Sequence, residues 1–139
     1  MSIIDLVEVH EFTFTARNLH LKGAGAHASI TYQKGASILL TKYAVVISCK
    51  DGARGEYVPL WGGTRPALAQ TLTLAPLLLG RDADHREQIY DDLKRELRQY
   101  DHYGHGPIDI ALWDLAGRKF GASVSQLLGG RSEEHTSEL

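Results

Sequence analysis

Cysteine is almost missing from this chain. Cys49 is the only one, so no internal disulfide is available and a reducing, cytoplasmic setting is expected. Long apolar runs are missing too. No stretch approaches the roughly 18–20 residues of a membrane span. The start, Met1-Ser2-Ile3-Ile4-Asp5, has neither the basic flank nor the small-residue cleavage site of a signal peptide. Charge of one sign is scarce. The net charge is −2 over 139 residues, and Arg131 set against Glu133, Glu134 and Glu138 accounts for it. No basic stripe interleaved with aromatics is seen, so neither nucleic acid nor a membrane is an expected partner. Nucleophile elbow, P-loop and dinucleotide fingerprint are all absent. Gly23 and Gly25 do not continue as G-x-G-x-x-G, because position 28 is alanine.

What is there suits one domain with a hydrophobic core: 43% hydrophobic and 23% charged residues. Residues 3–15 read as a strand. Val7 and Val9 share one face and Phe12 and Phe14 the other. That change of parity means a bulge, or a strand passing from one packing surface to another. Residues 16–36, with Gly23, Gly25 and Gly35, have neither helical nor strand periodicity. They read as a long loop, either a lid over a ligand or a flexible hairpin connection. Ser37 to Lys50 is the strongest strand, with Leu39, Tyr43, Val45, Ile47 and Cys49 on one face. Asp51-Gly52 is a hairpin turn signal. Arg54 to Leu60 returns as a third strand that Pro59 ends.

The remainder reads as helical. Thr64 caps a first helix with Pro66 in its first turn, and Leu68, Leu72 and Ala75 keep helical spacing until Pro76. Asp84 and Glu87 form a capping-box-like start. Ile89, Leu93, Leu97 and Tyr100 are the next apolar stripe, opposite a solvated face of Asp91, Lys94, Arg95 and Arg98. Pro107 opens a third helix, where Ile108, Leu112 and Leu115 line the core with Trp113 beside them. Gly121 stops it, and Ser123 caps a final turn that buries Leu127 and Leu128. The predicted fold class is α+β: a three-stranded antiparallel meander followed by a bundle of three to four helices.

Chemistry-bearing residues are few. Asp101, His102 and His105 are the only local cluster of metal-ligand types, and their place in a Gly-rich turn favours a polar loop over a metal site. Asp114 and Arg118, four apart, suit a surface ion pair. Glu56, with no visible partner, reads as structural rather than catalytic. Cys49 on an apolar strand face reads as core. No complete catalytic constellation exists. Trp61, in the run Val58 to Gly63, either packs back onto its own domain or covers a ligand.

The segment Ile108-Asp109-Ile110-Ala111-Leu112-Trp113-Asp114-Leu115-Ala116-Gly117-Arg118 resembles the signature helix of the mandelate racemase/muconate lactonizing enzyme branch of the enolase superfamily. Gly55-Glu56, Leu79-Gly80-Arg81-Asp82 and Leu127-Leu128-Gly129-Gly130 keep that family's order of motifs. Pro107 departs from it, standing where a small residue is commoner. The resemblance covers residues 1–130 and implies an N-terminal capping domain. In such a family the cap is joined to a (β/α) barrel that binds Mg2+ and stabilises an enolate formed next to a substrate carboxylate. Racemisation, dehydration and cycloisomerisation diverge from that intermediate. The resemblance makes residues 16–36 and 58–63 the covering loops, and His27, Tyr32, Leu60 and Trp61 the candidates to face substrate. No catalytic residue or metal ligand is expected in this chain itself, and its expected partners are the barrel, a small carboxylate substrate and, in the parent enzyme, further copies.

Residues 131–139, R-S-E-E-H-T-S-E-L, are polar and aperiodic. They match an in-frame translation of the sequencing-adapter oligonucleotide AGATCGGAAGAGCACACGTCTGAACTC and are expected to be a non-native, disordered tail. Two readings remain. The chain is the cap of a magnesium-dependent enzyme, inactive by itself, or it is a stand-alone binding module. On the first reading, helix faces meant for the barrel are bare and the isolated chain self-associates.

Overall fold

A computed structural model of the chain describes residues 1–23, 28–59 and 64–130. Three strands form one antiparallel sheet in the order β1-β2-β3: β1 is Ile4–Lys22, β2 Ser29–Cys49 and β3 Arg54–Tyr57. Among the described residues four α-helices come after them, α1 Thr64–Leu74, α2 Arg86–Glu96, α3 His105–Phe120 and α4 Val124–Leu127, with a 3-10 turn at Ala75–Leu78 following α1. The class is α+β, with the helices on one face of the sheet.

The β2–β3 connection forms where Asp51-Gly52 signals it. Gly52 takes φ 85°, a left-handed value that suits glycine, and Asp51 Oδ1 accepts from the Ala53 amide at 3.1 Å. Along β2 the odd positions Tyr43, Val45, Ile47 and Cys49 are buried. Leu39 shares their parity yet is 71% exposed. The helical layer ends at Tyr43, so the same strand face passes from core into solvent.

The expected loop over residues 16–36 is corrected. β1 runs on to Lys22 and β2 starts at Ser29, so most of that span is a two-stranded arm. Its side chains are not buried on either face, so no alternation of apolar and polar residues marks it. Backbone pairing holds it instead. The parity change on β1 is likewise explained without a bulge between Val9 and Phe12. The ladder is regular from Leu6 to Arg17, and its shifts lie at Ile4/Leu6 and Arg17/Leu19. Val7 and Val9 pack against the core, while Phe12 and Phe14 sit on the opposite face.

Three helical stripes differ from expectation. On α1, Leu72 is 52% exposed while Ala67, Thr71 and Leu74 are buried. Thr71 takes the inward position because its hydroxyl has two buried partners, which the apolar spacing could not indicate. Tyr100 is exposed because α2 ends at Glu96, one turn early. Leu128 is exposed and Leu127 only partly covered. The expected capping box at Asp84 and Glu87 is also absent. His85 is the N-cap without a side-chain bond, and the Asp84 carboxylate is held by Lys119 Nζ at 2.7–2.8 Å. Ser123 does cap α4, with Gln126 completing a reciprocal box. The core joins Ile4, Tyr43, Val45 and Ile47 to Leu74, Leu78, Ile89, Leu93, Ile108, Leu112 and Leu115. Each such apolar side chain contributes about 1.5–3 kcal/mol of burial.

Candidate functional site

The arm is the first feature. Beyond Arg17 the pairing changes: Arg17 faces Ser37, but Leu19 faces Tyr32, so four residues of β2 stand opposite Asn18 alone. Asn18 takes φ 59° and Gly35 φ 81°. The Asn18 side-chain oxygen accepts from the Gly35 amide at 3.0 Å and closes the irregularity. Tyr32, on the distal part of the arm, is 74% exposed. The other three candidates to face substrate, His27, Leu60 and Trp61, lie outside the described residues. Of the expected substrate-facing set, the structure therefore locates Tyr32.

Charge on the arm escaped the sequence reading, although it is visible there as an absence. Between Phe12 and Lys50 the chain has no Asp or Glu, against Arg17, Lys22, Lys34, Lys42 and Lys50. Arg17, Lys22 and Lys34 form no ion pair with any described residue. A near-neutral whole concealed this segregation.

The second feature is the anchor at the end of β3, just before residues 58–63 in the sequence. β3 ends at Tyr57, and Val58 and Pro59 leave it without regular structure. Just before that exit the Glu56 amide donates to Asp114 Oδ2 at 2.8 Å. Arg118 binds the Glu56 carboxylate at 3.0 Å and, through Nε, Asp114 at 2.9 Å. The expected Asp114–Arg118 pair is present, and Glu56 is its third member. Glu56 is thus held in a charge network at the end of β3.

Other titratable groups lie apart from these features. Cys49 is in the core, and burial pushes its thiol up to about 11. His102 and His105 approach edge-on with ring centroids 5.5 Å apart, and burial pushes His105 down, toward the neutral form. Asp109, half-buried between α2 and α3, is pushed up by burial against the opposing pull of His105 and Arg86. The Arg86 guanidinium stacks over Trp113 at 4.6 Å beside it. Among the described residues no three His, Cys, Asp or Glu side chains are placed to hold a metal ion, so the residues present do not fit a magnesium centre. No helix among them is long and apolar enough to cross a membrane.

Residues 22–129 match the family model for the mandelate racemase/muconate lactonizing enzyme N-terminal domain. The chain belongs to that family. The sheet, the arm and the α3 signature helix are thus its N-terminal domain, as the motif order indicates. D-galactarolactone cycloisomerase of Agrobacterium fabrum is 37% identical over 112 residues, which are 77% of this chain and 28% of that protein. A D-mannonate dehydratase of Xanthomonas oryzae pv. oryzicola is 39% identical over 98 residues, 63% of this chain and 22% of the relative. The crystal structure of D-glucarate dehydratase from Agrobacterium tumefaciens complexed with magnesium superposes with TM-score 0.71 at 25% identity, over 94% of this chain and 33% of that one. The chain therefore spans less than a third of the length of these curated mandelate racemase/muconate lactonizing enzyme relatives.

Proposed function

We propose that this domain caps the active site of a magnesium-dependent enolase-superfamily enzyme, a racemase, dehydratase or cycloisomerase that abstracts a proton next to a substrate carboxylate. The observation that carries the reading is the arm. It projects past the helical layer, holds Arg17, Lys22 and Lys34 with no ion pair to any described residue, and has no acidic residue of its own. A cover with that charge draws a carboxylate substrate toward the mouth it closes and repels cationic competitors. Tyr32 lies on the arm, His27 falls by sequence between its two strands, and Leu60 and Trp61 follow in the sequence after the strand end that Asp114 and Arg118 hold at Glu56. Their share of the chemistry is to exclude water and shape the space for substrate. On this reading the metal and the proton-transfer groups would belong to a barrel C-terminal to this domain, and Mg2+ there would supply charge stabilisation. This chain alone is inactive on that reading, residues 131–139 are not part of the domain, and the parent works as an oligomer in the cytoplasm.

Reading the coding sequence of the source gene past the codon for Gly130 tests this directly. A continuation with a Lys-x-Lys strand end and spaced acidic strand ends supports the reading. A stop codon or an unrelated domain sinks it and leaves a stand-alone binding module.

A further inference from the structure

One edge of the sheet is open. β1 is the outer strand, and its free edge is covered only at its start. There the Ile4 amide donates to the Arg81 carbonyl at 2.9 Å, the Gly80 amide to the Ile4 carbonyl at 2.8 Å and the Ala83 amide to the Ser2 carbonyl at 2.8 Å. From Leu6 to Lys22 no described residue pairs with that edge. Natural sheets usually blunt a long edge with a bulge, a proline or charges of one sign. Within Glu11–Arg17 the ladder to β2 is regular, no proline occurs, and the two charged residues are opposite in sign and stand at opposite ends.

That pattern is self-complementary. We propose that β1 pairs antiparallel with β1 of a second copy across a two-fold axis at Phe14, joining two three-stranded sheets into one of six strands. An axis perpendicular to the sheet brings residues of like face together. With the axis at Phe14, Glu11 lies opposite the partner's Arg17 and Arg17 opposite the partner's Glu11. Thr13 meets the partner's Thr15, and Phe12 the partner's Ala16. Moving the axis to Phe12 places Arg17 opposite Val7, and moving it to Ala16 places Glu11 opposite Leu21. Among the axes within Phe12–Ala16, only Phe14 matches both charges.

Three observations agree with this register. Glu11 and Arg17 are exposed and form no ion pair with any described residue. Phe12 and Phe14, with ring centroids 6.2 Å apart, are 39% and 38% exposed, and the axis gathers four such rings on the outer face. The pairing window also lies past Tyr43, where the helical layer stops, so no described helix overhangs the edge. The pairing uses this domain alone and does not depend on any segment beyond residue 130.

Sedimentation of the full 139-residue chain tests the proposal, with charge reversal as the probe. The wild type forms a reversible dimer. Glu11→Arg and Arg17→Glu each place two like-charged pairs across the seam and weaken dimerisation by about tenfold or more. The double variant Glu11→Arg/Arg17→Glu recovers to within about threefold of wild type, because the pairs are restored with exchanged signs. Phe14→Cys adds an independent readout. Residues directly opposite in an antiparallel pair have Cα atoms about 4.5–5.5 Å apart, within disulfide range. That variant therefore cross-links to a covalent dimer under mild oxidation, whereas the wild type, whose one thiol is buried, does not. A chain that stays monomeric, an association indifferent to both single reversals, or a Phe14→Cys variant that fails to cross-link would overturn the proposal. A monomeric chain would also count against the self-association expected of a bare cap, whereas the charge-reversal and cross-linking results bear on this proposal alone and the gene sequence decides the enzyme reading separately.

Discussion

Gly55 on β3 lies against the backbone of α3 at Leu115. A Cβ at position 55 would meet the Ala111 carbonyl, the Leu115 amide and the Leu115 side chain, none of which is a flexible chain end. The close approach lets a short edge strand seat directly on the signature helix. It also sets the height at which Glu56 meets Asp114 and Arg118.

Gly55→Ala is therefore expected to destabilise the domain although it adds one methyl group. The strand and α3 must move apart, and overpacking of this kind costs about 1–3 kcal/mol or more. Chemical denaturation measures it. A midpoint equal to that of the wild type would mean that β3 is free to shift.

The Tyr43 hydroxyl and Thr71 Oγ1 are 3.0 Å apart in the core, and Thr71 Oγ1 donates to the Gly104 carbonyl at 2.9 Å. The two ends of this chain predict unequal costs. Tyr43→Phe removes one hydrogen bond and leaves Thr71 satisfied by Gly104, a loss of about 1 kcal/mol. Thr71→Val leaves both the Tyr43 hydroxyl and the Gly104 carbonyl buried without that partner, and costs about 2–3 kcal/mol. Equal midpoints for the two variants would contradict this ordering.

Burial holds the Cys49 thiol up at about 11, against 9.0 for an unperturbed thiol. The unfolded chain loses this proton first as pH rises, so stability contributed by the neutral thiol is complete below pH 9 and is lost toward pH 11. The slope is about 1.4 kcal/mol per pH unit inside that window. Comparing wild type with Cys49→Ala in denaturant titrations across the range isolates it from tyrosine and lysine titration. The variant should start lower and fall less steeply. The same burial predicts negligible alkylation of Cys49 at pH 7 unless the chain unfolds.

Legibility in the sequence tracked burial. β2 from Tyr43 to Cys49 alternates because one face is covered, and α3 shows its stripe because Ile108, Leu112 and Leu115 reach the core. The arm left no period, since neither of its faces is packed. Thr71 broke the α1 stripe because a threonine with two buried hydrogen bonds occupies a place that apolar spacing assigns to a hydrophobe. The anchor was half legible: Asp114 and Arg118 announce themselves by spacing, while Glu56, some sixty positions away, is brought in by the tertiary contact of Gly55 with α3. The basic character of the arm was present in the sequence and was lost in the whole-chain average.

The anchor itself gives the last prediction. β3 is the second edge of the sheet, and the outward-facing Glu56 amide is satisfied by Asp114 Oδ2 rather than by another strand. Asp114→Ala removes that acceptor and also one of two partners of Arg118, whereas Arg118→Met keeps the acceptor and loses only charge pairing. The participating side chains are substantially exposed, so Arg118→Met leaves global stability close to that of the wild type. Local opening is another matter, because the end of β3 is held by few interactions. Amide exchange at Glu56 is expected to quicken by about tenfold in Asp114→Ala and by less in Arg118→Met, with Ile89 and Leu93 in the buried stripe of α2 unchanged in both. If all three amides quicken together, the loss is global and Asp114 is no local anchor. If Arg118→Met has the larger effect at Glu56, the ion pair rather than the amide bond fixes the strand end that leads into residues 58–63.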